Sequence, residues 1–128
     1  MKVHQGIDIV EVSKLKQVMQ RNRDFMHDIF TEKERSYCQS RKNPYLHFAG
    51  RFAAKESFIK ALGTGFSGTG IDHLFQEIEI IPSASGKPMI LVRGWAEKCA
   101  GRKKIRQWEV SISHTSHYAI AAVILVGD

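Results

Sequence analysis

The chain is poor in the features that mark whole classes of protein. Cysteine occurs twice in 128 residues, as Cys38 and Cys99. The two are far apart and in no metal-ligand spacing, which fits a reducing compartment and thiols without an assigned role. No apolar run approaches membrane-spanning length, and Asp8 and Glu11 interrupt the only N-terminal stretch that could serve as a signal core. The expectation is a cytoplasmic protein with no membrane partner. There is no Gly-x-Ser-x-Gly elbow for a serine hydrolase, and neither cysteine has a recognisable catalytic context. The glycine-rich run Thr64–Gly70 lacks the Gly-Lys-Ser/Thr ending of a phosphate-cradling loop and reads as a long, mobile connection. Internal repeats, low-complexity tracts and linkers are also missing. His114 and His117 stand three apart at an expected turn, but no third ligand of that kind is close in sequence, which argues against zinc.

What is present is an ordinary globular composition, 43% hydrophobic and 25% charged, sufficient for a single domain over 1–128 whose core needs no staples. The formal net charge of +6 predicts attraction to something acidic: nucleic acid, an anionic membrane surface, a phosphorylated cofactor or an acidic protein. Charge alone does not choose among these. For nucleic acid the supporting motifs are lacking: there is no zinc finger, no aromatic RNP-type strand and no basic residue in the glycine-rich run.

Periodicity predicts an α+β fold, a small antiparallel sheet packed with one long helix and several short helices. Val3–Val12 reads as a strand with Ile7 and Ile9 on one face and Gly6, Asp8 and Val10 on the other. Ser13 is placed to cap a helix starting at Lys14, with Leu15, Val18 and Met19 inward and Lys14, Lys16, Arg21 and Arg23 on its exposed side and end. Thr31–Glu34 has capping-box spacing and predicts a short helix carrying Tyr37 and Cys38. Asn43-Pro44 opens the longest helix and Gly63 stops it; Phe48, Phe52, Ile59 and Leu62 share an apolar arc between them. Glu77–Ile81 and Pro88–Val92 form a hairpin around Ser83–Lys87. Gly94–Gly101 is a short helix with Trp95, Ala96 and Cys99 inward, and Arg102–Arg106 is a basic loop. Trp108–Ser113 and Tyr118–Val126 are strands joined at His114–His117.

Two acids stand out. Glu56 projects at the edge of the apolar arc, where a carboxylate must find a cation, because burying it alone costs several kcal/mol or more. Lys60, one turn on, offers an ordinary surface pair. Asp8 sits in mid-strand, where aspartate is disfavoured, unless that position faces solvent. The two also fit a magnesium site, since Mg²⁺ is commonly held by one or two carboxylates with water and substrate phosphates completing its six oxygens. Lys60, Arg51, Lys87 and His114 could then supply positive charge or donors to those phosphates.

Four blocks stand in order: Gly6-Ile-Asp-Ile-Val-Glu11; Arg51-Phe-Ala-Ala-Lys-Glu-Ser57 with Lys60-Ala-Leu-Gly-Thr-Gly65; Gly86-Lys-Pro88; and Ser111-Ile-Ser-His-Thr115. Together they resemble the bacterial holo-acyl-carrier-protein synthases of the 4′-phosphopantetheinyl transferase superfamily, over nearly the whole chain. The resemblance implies that family's fold and a transferase of fatty acid biosynthesis. Such an enzyme moves the phosphopantetheine arm of coenzyme A onto a serine of apo acyl carrier protein and releases adenosine 3′,5′-bisphosphate.

By position, the resemblance makes Asp8 and Glu56 magnesium ligands and lays Lys60 against the pyrophosphate. Arg51, Gly86, Lys87, Pro88, His114 and Thr115 become walls of the nucleotide site. It implies a homotrimer with sites at subunit boundaries, and an acidic carrier received by Lys14, Lys16, Arg21 and Arg23. The family often has arginine where this chain has Lys14, so a forked contact becomes a point charge, which bears on carrier affinity or choice. The serine proton is expected to go to a metal-bound water or to a carboxylate acting through water. The competing reading, from a different class, is a non-catalytic basic module that binds nucleic acid.

Overall fold

The computed structural model describes residues 1–63 and 71–128, so the glycine-rich connection expected at Thr64–Gly70 lies outside the described residues. The first strand, β1 (Lys2–Glu11), runs directly into α1 (Val12–Arg21), followed by the short helices α2 (Arg23–Ile29) and α3 (Glu32–Gln39). The long helix α4 (Pro44–Leu62) leads past the undescribed segment to α5 (Ile71–Glu77) and the hairpin of β2 (Ile78–Pro82) and β3 (Pro88–Val92). Helix α6 (Gly94–Arg102) precedes the closing strands β4 (Ile105–His114) and β5 (Tyr118–Gly127). The expected antiparallel architecture is present as a three-stranded sheet in the order β1-β5-β4 and a separate two-stranded β2-β3. No helix among the described residues is long and apolar enough to cross a membrane.

Helix α4 is the axis of the molecule. Its start has Asn43 at the cap position and Pro44 in the first turn, and Gly63 ends it in the left-handed conformation at φ 65°, as the end residues predict. The apolar arc is wider than four side chains. Phe48, Ala49, Ala53, Ala54, Phe58, Ala61 and Leu62 are all buried, because the three-stranded sheet covers one side of the helix and the short helices and hairpin cover the other. Each large side chain so buried contributes about 1.5–3 kcal/mol relative to exposure. The N-terminal half of α4 packs in one cluster with α1–α3, and the C-terminal half in a second with β4, β5 and the hairpin.

Gly6 sets how closely β1 crosses that helix. A Cβ there would lie 2.0 Å from the Ser57 carbonyl oxygen and 2.9 Å from the Ala61 amide nitrogen. Only a bare backbone fits, and the near contact brings the Gly6, Asp8 and Val10 face of β1 onto the turn of α4 that carries Glu56 and Lys60. Ile7 and Ile9, on the opposite face, are 60% and 62% exposed.

The structure corrects several local expectations. Ser13 does not cap α1, which begins at Val12 with Glu11 in the cap position; the Ser13 hydroxyl instead donates to Glu11 Oε1. Asn22 ends α1 and caps a new helix, accepting from the Asp24 amide, so Arg23 belongs to α2 and not to the helix of Lys14, Lys16 and Arg21. Val18 and Trp95, both expected inward, are exposed. The first hairpin strand, whose alternation in the sequence predicts one buried face, has Ile78, Glu79 and Ile80 all buried. The basic loop is short, with α6 reaching Arg102 and β4 starting at Ile105.

Candidate active site

Asp8 and Glu56, forty-eight positions apart in the chain, meet in one groove. Its volume is about 460 Å³, and Asp8, Glu11, Lys14, Glu56 and Lys60 line it beside an apolar wall of Val10, Leu15, Val18, Phe25 and Phe52. Strand β1 supplies Asp8 from the covered side of the sheet, so the solvent-facing reading of that residue does not hold. Helix α4 supplies Glu56 and, one turn later, Lys60. The ammonium of Lys60 donates to Asp8 Oδ1 at 2.8 Å and to the Ile7 carbonyl at 3.2 Å. The i, i+4 pair between Glu56 and Lys60 is therefore not the one that forms. Glu56 has no ion-pair partner among the described residues.

That leaves a half-buried carboxyl with a neighbour of its own sign. Burial raises the Glu56 pKa above the ordinary glutamate value, and the Asp8 charge raises it further, while Lys60 opposes both. Two hard carboxylates sharing one wall of an open groove make a donor set suited to a divalent cation with oxygen preference.

The remaining candidates lie elsewhere on the chain. Arg51 is buried, with its guanidinium carbon 4.0 Å from the centroid of the Tyr37 ring and a buried Nε that has no hydrogen-bond partner among the described residues. Around it stand Arg41, 4.4 Å over the same ring, then His47 against Tyr37, and His114 against His47 at 6.2 Å between centroids. Burial lowers the His47 pKa, and Arg51, Arg41 and His114 lower it further, as neighbouring cations do to an imidazole. Thr115 holds the adjoining turn by accepting from the amides of His117 and Tyr118.

Gly86 and Lys87 form the hairpin turn, where Gly86 has a φ of 89°. Lys87 pairs with Glu109 at 3.0 Å and, with Pro88, lines a different groove of about 340 Å³. None of Arg51, Gly86, Lys87, Pro88, His114 or Thr115 lines the groove of Asp8 and Glu56. Among the described residues no three His, Cys, Asp or Glu side chains gather around a potential metal position.

The basic residues Lys14, Lys16, Arg21 and Arg23 are all exposed. Lys14 lies 3.6 Å from Glu11 at the rim of the groove, and Lys16 is 5.1 Å over the Tyr45 ring. Sequence reasoning missed Tyr37, Arg41 and His47. Their proximity depends on how α3 packs on α4, and no spacing signals it.

Residues 5–123 match the profile of the 4′-phosphopantetheinyl transferase superfamily. The holo-[acyl-carrier-protein] synthase of Caldanaerobacter subterraneus subsp. tengcongensis is 44% identical over 127 residues, 99% of this chain and 97% of that protein. In three dimensions the chain resembles a synthase–CoA complex from Chronobacterium ammoniagenes, with a TM-score of 0.88 at 28% identity over 100% of this chain and 99% of the other. It also resembles the holo-(acyl-carrier-protein) synthase of Bacillus anthracis in complex with CoA (3′,5′-ADP), with a TM-score of 0.76 at 32% identity over 98% and 96% of the two chains.

Proposed function

The chain belongs to the 4′-phosphopantetheinyl transferase superfamily, and from that membership we propose that it transfers the 4′-phosphopantetheine group of coenzyme A to a serine of an apo acyl carrier protein. Adenosine 3′,5′-bisphosphate leaves. The serine oxygen forms a bond to the phosphorus that carries the pantetheine arm, the P–O bond to the nucleotide half breaks, and the serine proton passes to a base. The observation that carries this reading is the meeting of Asp8 and Glu56 in one groove, beside Lys60 and below Lys14.

Asp8 and Glu56 fit a magnesium ion by the chemistry of their donors, with water and phosphate oxygens left to complete the shell. When bound there, the ion would supply charge neutralisation to the pyrophosphate as the P–O bond breaks. The protein's own part is positioning. Gly6 lets β1 hold Asp8 against α4, and Lys60 adds a cation at the same wall. The apolar wall and the exposed Val18, between the exposed Lys14 and Arg21 of α1, suit an acidic helix of the carrier, whose complementary charge speeds association more than it adds affinity.

The nucleotide half of coenzyme A calls for the cations of Arg51 and Lys87 and the ring donors of His114, which this chain presents away from its own carboxylates. A homotrimer that brings the Arg51–His114 cluster of one subunit to the groove of the next would reconcile the two. The outer sheet face supports such an assembly: Val3, Ile7, Ile9, Ile120 and Ile124 stand exposed together across β1 and β5, and contiguous exposed apolar side chains mark interaction surfaces. Apo carrier protein, coenzyme A and Mg²⁺ incubated with the enzyme should yield a phosphopantetheine-sized mass gain on the carrier, absent with chelator and in Glu56→Gln. No gain with any of several apo carriers, together with salt-sensitive binding to DNA or RNA, would instead support a nucleic-acid-binding module.

A further inference from the structure

Lys60 occupies Asp8 through a short, direct ion pair, while Glu56 in the same groove has no ion-pair partner among the described residues. The pair is shallow on the lysine side: the Lys60 side chain is 52% exposed and that of Asp8 only 18%. Lysine is a point charge on a flexible stem, so Lys60 can swing away without disturbing α4, whereas Asp8 is fixed by β1. We propose that Lys60 is an exchangeable counter-ion. It neutralises Asp8 until a divalent cation is taken up, then leaves Asp8 and turns its ammonium to the phosphate oxygens of the substrate.

This rests on the assignment of Asp8 and Glu56 as metal ligands. An ammonium hydrogen-bonded to Asp8 Oδ1 and a divalent ion bound to the same carboxylate repel one another, so one must yield. Lys60 offsets one carboxylate in the resting enzyme; after exchange both carboxylates face the ion and the freed ammonium faces the incoming anion. Metal uptake and coenzyme A binding are thereby coupled, because the metal releases the cation that the pyrophosphate needs, and by linkage the coupling works in both directions.

The test is Mn²⁺ binding to the full chain at pH 8, followed by the EPR signal of free Mn²⁺ without coenzyme A. An exposed lysine pair is worth at most about a fivefold change in an equilibrium. With the repulsion of the ammonium added, Lys60→Met should bind Mn²⁺ roughly five- to tenfold more tightly than the parent. Lys60→Arg, which keeps the charge on Asp8, should stay near the parent value. In the same Lys60→Met protein, coenzyme A should bind more weakly, by calorimetry.

These opposite signs separate exchange from a merely structural role, since a damaged groove would weaken both ligands. Mn²⁺ affinity unchanged or reduced in Lys60→Met, with Asp8→Asn and Glu56→Gln still abolishing binding, would overturn the exchange while leaving the metal site standing. Mn²⁺ binding that survives Asp8→Asn and Glu56→Gln would overturn the metal site and the exchange with it.

Discussion

Lys55 and Glu56 are consecutive residues of α4, yet the two sides of the helix they occupy are built to opposite plans. The ammonium of Lys55 is fully buried, 2.8 Å from Glu34 Oε1, and also donates to the carbonyls of Phe75 and Ile78. Glu34 accepts from the Ile80 and Thr31 amides as well. Glu79 extends the network, bonded by the Thr31 hydroxyl and by Arg93. Each of these charges is satisfied, and together they tie α3, α4, the end of α5 and β2. Burial still pulls the Lys55 pKa below the usual lysine range, although Glu34 pulls the other way.

A quarter-turn around the helix, Glu56 is only half-buried, lacks an ion-pair partner among the described residues, and has Asp8 for company. A buried charge with every partner in place holds a fold together. An acid left short of cations in an open groove is what the proposed ligand role of Glu56 calls for.

The contrast can be broken from either side. The largest effect is expected for Glu56→Gln in the transfer assay, a loss greater than the about 10²–10⁴-fold that a general base alone supplies. The same substitution should leave the fold intact and slightly more stable at neutral pH. Because folding raises the Glu56 pKa, the folded chain binds more protons than the unfolded one between pH 4.5 and the raised value, so above that window the ionised group works against folding. That gain should therefore vanish as the pH falls through the raised pKa, in urea melts of the two proteins.

Lys55→Met should behave in the reverse way. It strands Glu34 in the interior and should lower unfolding stability by about 3–5 kcal/mol, with any fall in activity at low temperature following the fraction folded. Gly6→Ala should cost about 1–3 kcal/mol or more, because its Cβ meets Ser57 backbone. It should also weaken activity beyond the stability loss by lifting Asp8 away from Glu56. Lys14→Arg should alter the KM for the carrier with little change in kcat, in steady-state assays at two salt concentrations.

The smallest effect concerns His47. Its folded pKa is lowered from 6.5, so the unfolded chain takes up the proton first and stability falls as pH drops from 6.5 toward the folded value. His47→Gln should flatten that slope in melts between those limits. An unchanged slope would place the acid sensitivity elsewhere.

Much of this contrast was legible in the sequence, and the illegible part has definite causes. Local chemistry announced itself. Thr31 and Glu34 form both halves of the capping box, Pro44 and Gly63 bound α4, and the alternation of β1 put Asp8 on the side opposite Ile7 and Ile9. The oddness of Asp8 and Glu56 was visible as charge where propensity and burial oppose it. The division of α1 from α2 was missed because an asparagine cap inside a run of helix-compatible residues gives a weak local signal.

Lys55 was overlooked although it stands seven residues from both Phe48 and Leu62, on the face they bury. Its partners Glu34 and Glu79 lie more than twenty positions away in either direction, so only packing reveals that its charge is structural. Long-range pairing also decided that Lys60 meets Asp8 and not the nearer Glu56. The placing of Arg51 with Tyr37, Arg41, His47 and His114 is likewise a product of helix packing.

In the proposed site Asp8 and Glu56 jointly hold the divalent ion through which the groove grips coenzyme A. Calorimetric titration of coenzyme A with and without Mg²⁺, in the parent, Asp8→Asn and Glu56→Gln proteins, tests it most directly. Mg²⁺ should tighten coenzyme A binding about tenfold or more in the parent, a difference of about 1.4 kcal/mol, and should have no effect in either variant. A magnesium enhancement that persists undiminished in both variants would contradict the account.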